Sequence, residues 1–226
     1  APWDVAIEAG RQGLDAIALS PHNQVVWGQV GRWFSRAWGG PIVLASEEIH
    51  GPRFHMIAVA IQRRISWRLA AAQTIAEIHR QGGVAIATHP TASAWPAYQE
   101  GDAIGKLDGA EVMQPIAYEG ERNARDLREF FARSHAAAIG SSDYHGMGPV
   151  GLCRTYVFVR EATEQGILEA IRARRTVVLD GGRAYGDAEL AKLMPGAPAE
   201  RSREWVSAVC GVLGMIGAAV AGFRRG

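Results

Sequence analysis

Residues that can bind metal ions recur at one kind of place in this sequence, shortly after a short apolar run. Four such runs are followed by His22, by the pair Glu47-Glu48, by His89, and by Asp143 with His145. Imidazole and carboxylate groups are the protein ligands that bind zinc, manganese and iron. Asp143 and His145 stand two residues apart, so an extended segment would direct both side chains to one side. The pattern therefore predicts a metal site.

Apolar runs alternate with amphipathic stretches over most of the chain. The expected strands are Asp15–Ser20, Ile42–Glu48, His55–Ile61, Val84–Thr88, Ala110–Met113, Ala136–Gly140 and Thr155–Val159. The expected helices are Trp3–Arg11, Trp67–Gln81, Glu121–Ser134 and Thr163–Arg174. Nearly all-apolar strands are typical of a parallel sheet buried on both faces, so this order predicts an α/β fold, either a barrel or a doubly wound sheet. In a barrel the carboxyl ends of the strands meet at one mouth, where the candidate ligands would converge.

Three other histidines fit ordinary structural roles. His79 falls inside a helical pattern, His135 in a helix-to-strand turn, and His50 in a predicted loop. An isolated histidine is more often a hydrogen-bonded structural residue than a ligand, so these three are not assigned to the site. Segments 24–40 and 91–105 are expected to be pocket loops, with their tryptophans packed against the protein.

Four ordered motifs resemble successive motifs of the PHP family, the polymerase and histidinol phosphatase superfamily. They are Gly13–Asn23, Glu48-Ile49 followed by Phe54-His55-Met56, Thr88-His89-Pro90, and Ser141–His145. The resemblance covers roughly residues 1–180. It implies a distorted seven-stranded β/α (TIM-like) barrel that holds up to three divalent metal ions (zinc, manganese or iron) and hydrolyses phosphoesters.

The resemblance also implies a role for each ligand. It assigns Glu48 to a bridge between two ions, His55 and His89 to the second ion, Asp143 to the first, and His22 and His145 to the third. Glu48 is preferred over Glu47 because the family's glutamate usually precedes Ile or Val, as Glu48 precedes Ile49. The implied catalytic residues are His22, Asp143 and His145. A metal-bound hydroxide would be the nucleophile, and His22 or His145 would protonate the leaving oxygen.

The sequence departs from the family pattern at two places. The family opens with an H-x-H motif on its first strand, and this chain contains none. The motif is expected upstream of Ala1, because Asp143 and Glu48 alone are too few ligands for a tight first site, and this chain by itself is expected to be inactive. Pro21 stands where the family usually has the aspartate of a T-D-H-N motif, which predicts weaker binding of the third ion.

The bulk properties give the domain organisation. The chain has 226 residues, enough for one sizeable domain, and its formal net charge of +1 does not indicate an obligatory nucleic-acid partner. Residues 1–180 are assigned to the metal-dependent domain and 181–204 to a linker. Residues 205–223 carry no charge and have the length and flanking aromatics of a transmembrane helix. They predict a single-pass membrane protein, with a buried core helix as the alternative; the side of the membrane and the oligomeric state stay open.

The predicted function is metal-dependent hydrolysis of a phosphomonoester or phosphodiester, with a phosphorylated small molecule or nucleotide as the substrate. Two alternatives stay open. One is hydrolysis of a C–N bond on the same barrel, as in amidohydrolases, and the other is a degenerate, non-catalytic metal-binding or scaffold domain. Arg53 could contact a phosphate, although an exposed loop arginine is more often a solvated charge.

Overall fold

The computed structural model describes residues 1–146, 148–180 and 182–194. Its strands are β1 (Ala16–Leu19), β2 (Ile42–Ala45), β3 (Glu47–His50), β4 (His55–Val59), β5 (Val84–Thr88), β6 (Gly109–Met113), β7 (Ala137–Gly140), β8 (Thr155–Val157), β9 (Thr176–Asp180) and β10 (Arg183–Gly186). Its α-helices are α1 (Pro2–Arg11), α2 (Val26–Trp38), α3 (Ala71–Arg80), α4 (Trp95–Gln99), α5 (Glu121–Ser134), α6 (Glu164–Arg172) and α7 (Ala188–Ala191). Strands and helices are mixed along the chain, so the predicted α/β class is confirmed.

The described strands form three hydrogen-bonded sheets and no closed barrel. The sheets have the orders β1-β2, β3-β4-β5-β6-β7 and β10-β9-β8. The expectation of a largely parallel sheet is wrong for β3, β4 and β5, which pair antiparallel, whereas β5, β6 and β7 pair parallel. The connection accounts for the first pair: a four-residue turn joins β3 to β4 and suits a hairpin. It does not account for the second pair, since β4 and β5 are antiparallel although α3 lies between them.

Strand alternation divides the core between the two faces of the five-stranded sheet. Along β4, Met56 and Ala58 belong to a cluster with residues of α3, α4 and α5. The intervening Ile57 and Val59 belong to a second cluster with residues of α6. Since both faces of the sheet are covered, strands β4 to β7 are largely apolar, as the sequence indicated, whereas β3 carries two glutamates and a histidine.

The expected strand Ile42–Glu48 is two strands. β2 pairs with β1, and β3 pairs with β4. Ser46 separates them; its hydroxyl donates a hydrogen bond to the carbonyl oxygen of Leu44, and its backbone N–H bonds to the carbonyl oxygen of Leu19. The break lets one continuous apolar run contribute to two sheets.

The two expected pocket loops contain helices. Segment 24–40 holds α2 and segment 91–105 holds α4. The glycines and tryptophans of α2 weaken its helical pattern in the sequence. The tryptophans of α2, Trp27, Trp33 and Trp38, are exposed, so the expectation that they are buried is wrong for these three. Trp95 on α4 is partly buried against the core, as expected.

The linker assignment does not hold for residues 183–191. Arg183–Gly186 forms β10, which pairs antiparallel with β9, and Ala188–Ala191 forms α7. Within residues 1–146, 148–180 and 182–194, no helix is both long and apolar enough to cross a bilayer. The transmembrane prediction falls on residues 205–223, outside the described residues, and stays a prediction.

Gly28 allows α2 to lie directly on the ends of β1 and β2. A Cβ atom at this position would stand 2.7 Å from the carbonyl oxygen of Leu19 and 3.0 Å from the backbone nitrogen of Ser46. Both atoms are backbone, so neither can move aside by changing rotamer. In α1, a Cβ on Gly10 would meet only side-chain atoms, at the ordinary contact distance of 3.7 Å.

We expect Gly28→Ala to lower the free energy of unfolding by about 1–3 kcal/mol, because the methyl group overpacks the helix against two strands. The matched change Gly10→Ala should raise it by up to about 1 kcal/mol, since alanine favours a helix and has room there. Urea denaturation of both variants measures the difference. Equal effects of the two substitutions would contradict the close approach of α2.

Candidate metal centre

Strand β3 carries the central carboxylate, Glu48. Side chains alternate along the strand, so Glu48 and His50 share one side. Glu47 takes the other side, where it is fully buried and accepts a hydrogen bond from a backbone N–H of the loop after β4. The N–H of Glu48 bonds to the carbonyl oxygen of Pro21 at 3.1 Å, and its carbonyl oxygen accepts from the N–H of Asn23 at 2.9 Å. This bridge holds β3 against the segment that follows β1.

Three donor atoms from β3, β4 and the end of β5 form a triangle. Nδ1 of His55 lies 3.3 Å from Nε2 of His89. Oε1 of Glu48 lies 3.4 Å from the first nitrogen and 3.6 Å from the second. Ligands of a tetrahedral zinc ion with bonds of about 2.0–2.1 Å stand about 3.3 Å apart, so these are the edges of one face of such a site. The three residues therefore fit a metal ion.

His22 and His145 stand at the rim of this cluster. Nε2 of His22 lies 3.5 Å from Oε2 of Glu48 and 3.0 Å from Nε2 of His145. Nδ1 of His145 lies 2.9 Å from the carbonyl oxygen of Asp143, to which it donates. That bond leaves Nε2 of His145 with its lone pair toward His22, the arrangement of a metal-ligating histidine. The two side chains are 46% and 56% exposed, so they face the solvent side of the site.

Asp143 lies beside the cluster rather than inside it. Its Oδ2 accepts a 2.8 Å hydrogen bond from the side-chain amide of Gln114, and its Oδ1 lies 3.4 Å from Nδ1 of His145. Among the described residues, the groups with three converging donors are His22–Glu48–His50 and Glu48–His55–His89. Neither includes Asp143 or His145, although both belong to the predicted ligand set.

Glu111 is a site residue that the sequence analysis missed. It is fully buried on β6, where one oxygen accepts the backbone N–H of His89 and the other accepts the hydroxyl of Ser141. It thus joins the segment after β5 to the segment that leads to Asp143. Burial raises the pKa of Glu111 to about 7, against the lowering effects of His89 and Ser141. A carboxylate within the apolar run of β6 was the available signal.

His50 is a second residue that the sequence analysis left out. The assignment to a loop is wrong, because His50 is the last residue of β3 and pairs with His55. Its ring centroid lies 4.0 Å from that of His22 and 3.9 Å from that of His55. The i, i+2 spacing from Glu48 was a signal for this placement.

The charges of the cluster fit metal binding. Burial acts to raise the pKa of Glu48, but hydrogen bonds from His55 and His89 and the nearby imidazoles outweigh it and hold the pKa well below its usual range. Burial acts to lower the pKa of His89, and Glu48 with other carboxylates raises it above the ordinary value. Burial and the neighbouring His55 lower the pKa of His50. The centre therefore holds an ionised carboxylate and a neutral His50 imidazole at neutral pH.

Two further residues complete the surroundings of the cluster. The hydroxyl of the buried Tyr98 on α4 donates a hydrogen bond to the carbonyl oxygen of His55. Arg53 forms an ion pair with Glu100, so its guanidinium already has an anionic partner. Among the described residues, no hydrogen bond or ion pair joins Arg53 to the cluster.

A cavity of about 1630 Å³ opens at the cluster. Its mouth is lined by His22, Glu48, Asp143 and His145, and its interior by apolar side chains of β1, β2, β4, β5, β7 and β8. A concave space with ionisable groups at one end and apolar walls is the usual form of a small-molecule site.

The comparisons with known proteins point to one family. A family model described as PHP-associated matches residues 122–176. An uncharacterized protein of Methanocaldococcus jannaschii is 30% identical over 121 residues, which cover 53% of this chain and 69% of that protein.

Three solved structures share the fold. A two-domain protein of Bacteroides vulgatus that contains a predicted PHP-like metal-dependent phosphoesterase aligns with a TM-score of 0.63 at 21% identity; the match covers 84% of this chain and 63% of that one. A candidate metal-dependent phosphoesterase of Bifidobacterium adolescentis aligns at 0.51 and 16% identity, over 81% of this chain and 93% of that one. PsfC of Pseudomonas syringae aligns at 0.50 and 15% identity, over 84% and 86%. With its ordered motifs and its cluster of imidazoles around one carboxylate, the chain belongs to the PHP superfamily.

Proposed function

We propose that this protein is a metal-dependent phosphoesterase that hydrolyses a phosphorylated small molecule or a nucleotide at the Glu48 cluster. The observation that carries the proposal is the triangle of donor atoms from Glu48, His55 and His89, with edges of 3.3, 3.4 and 3.6 Å. The structural relatives described as metal-dependent phosphoesterases support the reaction class. Divalent zinc, manganese or iron suits this set of nitrogen and oxygen ligands.

A divalent ion held at this cluster would activate a water molecule and offset the charge of the phosphoryl oxygens. The chain's own residues have separate roles around it. Glu48 supplies the buried negative charge, and His55 and His89 bind beside it. Asp143, oriented by Gln114, faces the same mouth. His22 and His145, exposed at the rim, would bind a further ion at the solvent side of the cluster.

We also propose that the strands close into a barrel in the complete domain, with a further strand beside β1. β1 pairs with β2 alone among the described strands. Beside it lies the apolar part of the cavity, with Ile17, Ile86, Ile139 and Val157 among its lining residues. A further strand paired with β1 would cover this surface. We propose that the H-x-H segment takes this place in the complete site.

Replacing Glu48 by Gln should abolish tight metal binding, since the amide keeps the size of the side chain but removes its charge. The neighbouring change Glu47→Gln is the matched control, because Glu47 is equally buried but lies on the other side of β3. Metal content after purification without chelators, measured by plasma mass spectrometry, should fall for Glu48→Gln alone. In the full-length gene product, phosphoester turnover should fall with it by more than about a hundredfold, the upper loss seen for groups that only orient ligands.

Three outcomes would contradict the proposal. Retained metal and activity in Glu48→Gln would remove this residue from the site. Bound metal without turnover of any phosphomonoester or phosphodiester would favour the scaffold alternative. Hydrolysis of amides but not of phosphoesters would favour the amidohydrolase alternative.

Metal affinity should rise with pH because His89 must lose a proton to bind an ion. Glu48 is already ionised, and its lowered pKa adds no pH dependence near neutrality. Against the lowering effect of burial, Glu48 and other carboxylates raise the pKa of His89 above its ordinary value, so the protonated fraction falls, and zinc affinity increases, as the pH rises through that pKa. Calorimetry in buffers of different ionisation enthalpy counts the released protons. The increase of zinc affinity with pH should be smaller in His89→Gln. A zinc affinity that is constant or falls with pH in the wild type would contradict the assignment of His89 as a ligand.

A further inference from the structure

We propose that His50 is an additional metal ligand. With His22 and Glu48 it forms an outer ion site, which shares the Glu48 carboxylate with the inner site at Glu48, His55 and His89. The inference rests on the metal centre proposed above and extends it. It concerns a histidine that neither its sequence context nor the family pattern assigns to the cluster.

The backbone fixes His50 beside the other ligands. It lies two residues beyond Glu48 on β3, so both side chains leave the strand on the same side. It stands directly opposite His55 in the pairing of β3 with β4. Its N–H donates to Oδ1 of Asn23 at 3.1 Å, which ties the end of β3 to the residue after His22. The position of His50 is therefore as well defined as that of the other ligands.

The ring nitrogen of His50 faces a carboxylate oxygen without forming a hydrogen bond to it. Nε2 of His50 is buried and lies 3.2 Å from Oε1 of Glu48, yet no hydrogen-bond partner satisfies it. A buried polar atom without a partner costs free energy, so such atoms call for an explanation. A cation between the two groups satisfies both, because each then directs a lone pair at it.

The second group of donors is complete enough to hold an ion. The donor atoms of His22, Glu48 and His50 lie within 4.8 Å of one another. Oε2 of Glu48 lies 3.5 Å from Nε2 of His22, whereas Oε1 lies near His50 as well as near His55 and His89. His145, with its Nε2 3.0 Å from Nε2 of His22, can supply a fourth donor. Three imidazoles and a carboxylate suit zinc.

This arrangement reverses one expectation from the sequence. Pro21 predicts weak binding at the outer ion, because it removes a carboxylate that would orient His22. His50 adds an imidazole to that same ion. A side chain that binds the ion directly contributes more than a group that only orients a ligand, so this site should bind an ion tightly.

The competing explanation is that His50 only packs, since its ring stacks on His55 with an interplanar angle of 5°. The variant His50→Phe separates the two roles, because it keeps an aromatic ring for stacking and removes both nitrogens. His50→Gln, with a polar side chain and no ring, serves as the second variant if Phe disturbs folding. The matched control is His135→Asn, which removes an exposed imidazole from the left-handed end of α5, where asparagine is tolerated.

The test is titration of the metal-free chain with Zn²⁺ by calorimetry and with Co²⁺ by visible absorption, with circular dichroism to verify folding. The wild type and His135→Asn should bind two ions per chain. Both His50 variants should keep one tight ion and bind the other at least about tenfold more weakly, the smaller loss seen for groups that merely orient a ligand.

Two ions of unchanged affinity in His50→Phe would overturn the inference and make His50 a packing residue. One ion in the wild type and the variants alike would also overturn it while the first site survives. No ion in the wild type would defeat the proposed function itself.

Discussion

The arrangement of the site depends on one buried charge, the carboxylate of Glu48. A carboxylate that is 7% exposed would be costly to keep ionised unless charged or hydrogen-bonding groups surround it. Here the surrounding groups are imidazoles from four different segments, and each lies within 3.6 Å of one of its oxygens. Because imidazoles are also metal ligands, the groups that solvate Glu48 in the protein are the groups that would share an ion with it.

The need to hold ligands around a buried Glu48 explains the backbone strain at His89 and Asp143 and the hydrogen bonds that fix these two residues. His89 and Asp143 both have positive φ angles, 30° and 45°, which are unfavourable for residues other than glycine. Each is held by a buried polar residue on β6 or directly after it: Glu111 on β6 accepts the N–H of His89, and Gln114, the residue after β6, donates to Asp143. The strand thus positions ligand segments on both of its neighbours, β5 and β7, without contributing a ligand to either donor group. Strained conformations persist at functional sites when the surroundings fix them in this way.

The proximity of several predicted ligands could be inferred from the sequence, and it has one physical cause. His22, His89 and Asp143 follow apolar strands, and the carboxyl ends of such strands lie at one end of an α/β fold. The structure brings His22, Glu48, His55 and His89 together and sets Asp143 and His145 beside them. That convergence needed no knowledge of strand order.

The parts that escaped prediction depend on tertiary contacts. His50 follows a strand-like run and precedes Gly51-Pro52, so it resembles a loop residue until the β3–β4 hairpin places it opposite His55. Glu111 stands within an apolar strand and gains its partners only when β5 and β7 lie on either side of it. Helix α2 contains Gly28 where it contacts two strands, and a glycine there lowers the helix propensity of the segment. In each case the residue type is explained by contacts with a segment that is distant in the sequence.

The central claim is that Glu48, His55 and His89 hold one metal ion, and anomalous X-ray diffraction from crystals grown with Zn²⁺ tests it most directly. The account predicts an anomalous peak about 2.0–2.2 Å from Nδ1 of His55, Nε2 of His89 and Oε1 of Glu48. A structure with no anomalous peak at these atoms, or with its zinc bound by other residues and Glu48 uninvolved, would contradict it.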